Sequence, residues 1–145
     1  MRGWTAGQTG QVWATWTDAE AYRGVHGVHE ARIDFRVGGE IEVRFWADRP
    51  GGETFVILAI DEPRRLDFAW KDRETCSVTL TIEPRDGGSE VSLLQRCGEN
   101  PGWIHNVLDG WAWIVDSLES WLETGRGIAN DVWSERHGTH EIVEK

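Results

Sequence analysis

Five histidines, two cysteines and a single tyrosine are the side chains with the most chemistry to offer in these 145 residues. His26 and His29 stand three apart beside Glu30, a donor set that suits a zinc ion when a helix or shaped loop presents it. The spacing supplies no third ligand, and the same step recurs at His137 and His140, so both pairs read more simply as exposed polar residues. His105 and Asp109 are an i, i+4 pair, the spacing of an ion pair or an acid–base dyad on a helix. They project about 100° and 140° from Ile104, the centre of that helix's apolar stripe, which makes them a boundary pair. Cys76 and Cys97 have no metal-ligand spacing and read as buried thiols. Tyr22 is the only phenolic acid. No Ser–His–Asp order, Cys–His nucleophile, phosphate-cradling glycine loop or pair of buried carboxylates is legible, so no catalytic residue, metal or cofactor is assigned and the chain reads as a binder rather than an enzyme.

The element that must position these groups is Asn100 to Gly125. Asn100 is a good N-cap, Pro101 suits the first helical position, and Gly125 offers the left-handed stop. Between them Ile104, Leu108, Trp111, Val115, Leu118 and Leu122 step by four and three, a stripe widened by Val107, Ile114 and Trp121. About 24 residues at 1.5 Å each give a helix of roughly 36 Å. Upstream, Val12 to Ala21 reads as a short helix, Thr17-Asp18-Ala19-Glu20 as a capping box that restarts a second, and Tyr22 to Glu30 as a connection. From Ala31 the period changes to two. Six strands follow, around 31–37, 41–45, 53–60, 65–70, 76–83 and 91–97, joined by short turns such as Asp86-Gly87-Gly88-Ser89. Clean alternation means an antiparallel sheet with one buried face, and a run of strands followed by a helix means α+β.

Bulk properties narrow the partners. A net charge of −10 and a pI near 4.9 repel phosphate backbones and anionic lipid, which argues against nucleic acid and membrane surfaces. No apolar run reaches the roughly 18 residues of a membrane span and no signal peptide is legible, so a cytoplasmic location is expected. Ten tryptophans suit a heavy core or an aromatic-lined cavity.

Several stretches together resemble a known family: Gln11-Val12-Trp13 with Thr17-Asp18, Phe35-Arg36-Val37-Gly38-Gly39-Glu40, Ile60-Asp61-Glu62-Pro63-Arg64-Arg65-Leu66, Phe68-Ala69-Trp70, and Gly102-Trp103 opening the long helix. Over about residues 10–125 the chain is similar to bacterial homologues of the heat-shock-protein-90 ATPase activator, within the START-like, birch-pollen-allergen-like superfamily. The resemblance implies a helix-grip fold: a curved antiparallel sheet wrapped around one long C-terminal helix, two short helices near the N-terminus, and a cavity between sheet and helix. Members include binders of hydrophobic small molecules, aromatase/cyclase-like enzymes and cochaperones. The family begins with an edge strand, whereas Gly3, Gly7 and Gly10 make the stretch before Gln11 a poor one. The domain is therefore placed at residues 1–127, and tail 128–145 has two readings: a frayed acidic end, or the source of the missing strand through 139–145, beside Val91–Arg96, within the chain or from a second copy.

On that architecture the cavity lining is Trp16, Phe35, Phe45, Phe68, Trp70, Gln95, Leu108, Trp111 and Val115, with Tyr22 near its mouth and Gln95 the polar residue among its strand's inward positions. Core packing alone accounts for many such aromatics. Trp113 projects about 180° from the stripe, among polar residues, and so marks a contact with the tail, for example Trp133, or an interface. Phe55 and Ile57, read on the outward parity of their strand, extend that surface and point to a homodimer. The function expected first is binding of a small hydrophobic or aromatic molecule. A protein-interaction, cochaperone-like role is the alternative, and a cyclase/aromatase-like enzyme the third, which would need a general acid or base inside the cavity.

Overall fold

The computed structural model describes residues 2–71, 76–97 and 104–128, with backbone alone for residues 2 and 104–112. The order is β1 (Arg2–Thr5), α1 (Thr9–Thr17), α2 (Ala19–His26), β2 (Glu30–Ile33), β3 (Glu40–Arg44), β4 (Gly52–Asp61), β5 (Arg65–Trp70), β6 (Cys76–Arg85), β7 (Gly88–Cys97) and α3 (Ile104–Thr124). The strands form one antiparallel sheet in the order β1-β7-β6-β5-β4-β3-β2. From β2 to β7 it is a meander of sequential neighbours. The β6–β7 hairpin shows why: Arg85 pairs with Gly88, and the two residues between, Asp86 and Gly87, take φ values of 51° and 79°. Two consecutive left-handed residues form the turn whose twist matches the strands it joins. The sheet's inner face and the helices enclose a core that runs from Val12 and Trp16 through Leu66, Phe68, Val78 and Leu80 to Ile114 and Leu118. This is the α+β helix-grip architecture.

The N-terminal stretch corrects the expectation for the sheet edge. Arg2–Thr5 is a strand, paired with β7 from Arg2↔Ser92 to Thr5↔Ser89. Its glycines serve close approach: a Cβ on Gly3 would run into Val115 of α3, and one on Gly7 into Leu122. The glycines that argued against a strand are thus what lets the long helix lie against the chain's first residues. The expected tail strand, 139–145, lies outside the described residues, as do Asn100, Pro101 and Trp133. At its far end the helix stops as expected, with Gly125 at φ 76° and its N–H bonded to the Trp121 carbonyl.

Two more corrections concern α2 and β4. Tyr22 to His26 is helix, not connection; Asp18 caps α2 through its side chain to the Ala21 N–H at 3.0 Å, and Gly27 ends it at φ 64°. Phe55 and Ile57 face inward, 4% and 1% exposed, opposite Trp70 and Phe68. β4 is apolar on both parities, and the register shifts between Ile57 and Ala59, so a parity extrapolated from Ile60 inverts at the bulge. Leu58 is the exposed residue there, at 49%. The strand expected at 31–37 is shorter. After Ile33 the chain turns, the Gly39 N–H reaching the Arg36 carbonyl, and Val37 is exposed.

The cysteines are also corrected. Cys76 and Cys97 are directly opposed across β6 and β7 and are joined as a disulfide, Cα to Cα 4.2 Å apart. Their separation of 21 residues hid a pairing that only the hairpin register brings about. No helix among the described residues is long and apolar enough to cross a membrane.

Candidate functional site: the aromatic inner face

Four of the aromatic residues form a connected run across the inner face. Trp16 of α1 lies 6.3 Å from Phe68 of β5, Phe68 is 5.4 Å from Phe55 of β4, and Phe55 is 5.2 Å from Trp70, ring centroid to ring centroid. All four are buried. Three of the nine expected lining residues, Trp16, Phe68 and Trp70, belong to this run, and Phe55 joins it from the set assigned to the outer surface. Phe35 and Phe45 are half-buried against Trp13 and Trp46 respectively, and both pack on the core. Val115 is half-buried over Gly3. Gln95 is half-buried on β7, its Nε2 3.7 Å from Cys97 Sγ. The side chains of Leu108 and Trp111 fall outside the described residues.

Besides Gln95, this face carries a group of polar side chains to which α2 contributes two. Tyr22 and His26 stand one helical turn apart with ring centroids 3.7 Å apart, and the Trp16 ring is 4.7 Å from His26. Both residues are buried, at 6% and 5% exposure. His26 Nε2 has no hydrogen-bond partner among the described residues. Burial holds the imidazole neutral, bringing its pKa down to about 3. Burial, and then the negative charge of Glu53, pushes the Tyr22 phenol above its ordinary value. Glu53 lies half-buried on β4 and accepts from the Trp70 indole at 3.1 Å. In the sequence Tyr22 falls near a cavity mouth, but His26 reads as a surface residue. The signal available is the step Trp16…Tyr22…His26, which becomes a face only once Tyr22–His26 is helical.

The metal reading of His26 and His29 is not assembled: His26 is buried in the core, His29 is exposed outside it, and no metal-holding group of three donors exists among the described residues. His105 and Asp109 have no described side chains. Trp113 is covered from within the chain. It is half-buried, lies against Gly27, and donates to the Ile128 carbonyl at 2.6 Å. That is the tail-contact reading, made by Ile128.

A separate open cleft of about 420 Å³ lies at the β2–β3 end of the sheet, lined among others by Arg32, Arg36, Asp34, Glu40 and Glu42. Its charges are neutralised locally: Arg36 binds Asp34 at 2.9 Å, and Lys71 reaches Glu40 at 2.9 Å. Such exposed pairs contribute about 0–1 kcal/mol each.

A curved sheet, two short helices and an aromatic inner face under a long helix are what the helix-grip resemblance implied. The sequence profile of the activator of Hsp90 ATPase homolog 1-like proteins matches residues 8–123.

The chain belongs to this family.

Solved structures agree on the fold. A Staphylococcus saprophyticus protein is 17% identical, covering 88% of this chain and 93% of its own, with a TM-score of 0.72. The Aha1 dimer from Colwellia psychrerythraea, a solution structure, is 14% identical over 88% and 96%, with a TM-score of 0.74. An Hsp90 activator from Plasmodium falciparum is 16% identical over 85% and 94%, with a TM-score of 0.71. Among curated protein sequences none matches. Identities this low carry the fold alone, and function has to be argued from this family member's own site.

Proposed function

We propose that this Hsp90-activator-like protein binds a small hydrophobic or aromatic molecule between its curved sheet and long helix. The observation that carries the reading is the run Trp16–Phe68–Phe55–Trp70, which leads across the inner face to the half-buried carboxylate of Glu53. Apolar walls with few polar groups at one end are the common design of small-molecule sites. A reaction of the cyclase or aromatase type would need a proton donor or acceptor beside the ligand. Tyr22 and His26 are the groups so placed, but a neutral imidazole and a phenol of raised pKa suit hydrogen bonding better than proton transfer near pH 7.

Native mass spectrometry of the protein as purified, followed by denaturing extraction, tests the proposal. An extractable extra mass bound one to one supports it. A bare protein that also fails to take up planar aromatics in titration rejects it.

A second reading, a cochaperone-like interaction module, has its own observation: Leu58 and Leu94 are each about half exposed, at 49% and 48%. The same spectra report whether the protein is a monomer or a homodimer. Retention of an Hsp90-type ATPase on immobilised protein, lost on Leu58→Asp, supports this reading; no retention rejects it.

A further inference from the structure

We propose that the corner formed by His26, Tyr22 and Glu53 recognises the polar end of the ligand, and that the ligand is a neutral, flat, hydroxyl-bearing aromatic molecule. This rests on the pocket reading above and adds the chemical class. The imidazole points to the hydroxyl. His26 is 5% exposed, and its Nε2 has no hydrogen-bond partner among the described residues. Buried polar atoms are nearly always satisfied, so one that the described residues leave over beside an aromatic face calls for a further partner, which a ligand would supply. A neutral imidazole nitrogen either donates or accepts, according to tautomer, and a hydroxyl answers both.

The surrounding rings point to a flat molecule. Those of Trp16 and Tyr22 lie 4.7 Å and 3.7 Å from that of His26, and Phe68, Phe55 and Trp70 continue the aromatic surface. Such walls match planar rings better than flexible acyl chains, because ring edges and faces offer specific contact geometries.

The charges point to a neutral one. Glu53 is close enough to Tyr22 to oppose ionisation of the phenol. No Lys or Arg is buried among the described residues. A carboxylate or phosphate ligand would enter a desolvated site holding one negative charge and no buried cation, which low dielectric makes costly. A neutral hydroxyl carries no such penalty and can bond His26, Tyr22 or the Glu53 carboxylate.

Calorimetric titration with three probes of one ring system tests the assignment: 2-naphthol, 2-methylnaphthalene and 2-naphthoate. The wild type should bind 2-naphthol about tenfold more tightly than 2-methylnaphthalene, the worth of one well-placed hydrogen bond, with 2-naphthoate weakest. His26→Phe keeps a ring of similar shape and should abolish the preference for 2-naphthol over 2-methylnaphthalene. Tyr22→Phe, which removes one oxygen, should reduce the same preference and gives the answer should the histidine variant fold poorly. Equal binding of 2-naphthol and 2-methylnaphthalene by the wild type, tighter binding of 2-naphthoate, or a preference that survives both substitutions overturns the polar corner while the pocket stands. Binding of none of the three overturns the pocket reading and this one with it.

Discussion

Trp113 donates its indole N–H to the carbonyl of Ile128 at 2.6 Å, so the chain leaving α3 doubles back along the helix it has just completed. Ser120 holds the Arg126 carbonyl at 2.8 Å on the way, and Ser117 accepts from the Ile128 N–H at 2.9 Å. Ser117 also donates to the Val25 carbonyl at 2.7 Å, so one hydroxyl ties α2, α3 and the returning segment together.

Ser117→Ala should therefore destabilise the protein by about 1–3 kcal/mol, because Ser117 is fully buried and its loss strands a carbonyl and an N–H. Urea unfolding of the single variant, of Trp113→Phe and of the double variant measures it. Both side chains hold Ile128, so the double variant should cost less than the sum. Strict additivity, or a Ser117→Ala variant as stable as wild type, counts against the tie.

Acid should weaken the fold through His26. The unfolded imidazole takes a proton below its ordinary pKa of 6.5, whereas the native one resists until about pH 3. Between those values the unfolded state binds more protons, so stability falls as pH falls, at up to about 1.4 kcal/mol per pH unit for one group. From pH 7.5 to 4.5 this amounts to roughly 2–3 kcal/mol. His26→Phe should flatten the pH dependence of unfolding by about that much. An identical slope with and without the histidine would mean that it is not buried neutral.

Gly24 is a place where α2 and α3 touch closely, since a Cβ there would run into the Trp121 ring. Ala is the better helix former by about 1 kcal/mol, yet Gly24→Ala should lower stability by about 1–3 kcal/mol, as overpacking does. Combined with Trp121→Leu, the same substitution should become neutral or favourable. Thermal unfolding of the four proteins in that cycle reads the sign directly.

These contacts also mark where the sequence is legible. The long helix and its stop at Gly125 can be read directly, and the strands from Ile41 to Gln95 follow from alternation and glycine turns. What escapes are features that depend on a neighbour. Gly3 looks like a strand breaker until Val115 lies on it. Trp113 looks exposed until α2 and Ile128 cover the flank it shares with Ser117. Phe55 and Ile57 look outward when parity is carried past a bulge that only cross-strand register reveals. His26 escapes for a related reason: a helix as polar on average as Ala19–His26 shows its inward face only through what packs on it.

The disulfide offers a fourth test. Cys76 and Cys97 are the only cysteines, and closing a loop of this size stabilises by roughly 3 kcal/mol through the unfolded state. The denatured, unreduced protein should take up no iodoacetamide and should take up two equivalents after reduction. Reduction or Cys97→Ser should lower the midpoint of thermal unfolding. Alkylation of both residues without reductant would show the pair to be dithiol.

The edge strand β1 carries a consequence for how the protein is made. Arg2 finds its partner in Ser92, far along the chain, and Gly3 and Gly7 meet α3 later still. Residues 2–7 are thus synthesised before every partner they require and find their place only once those arrive. A nascent chain can zip β2 through β7 as successive hairpins, but it must keep Arg2–Thr5 unpaired until β7 has been made. Non-local closure of this kind slows folding and leaves an uncovered β7 edge on the growing polypeptide, the state in which a chaperone matters most to the protein itself.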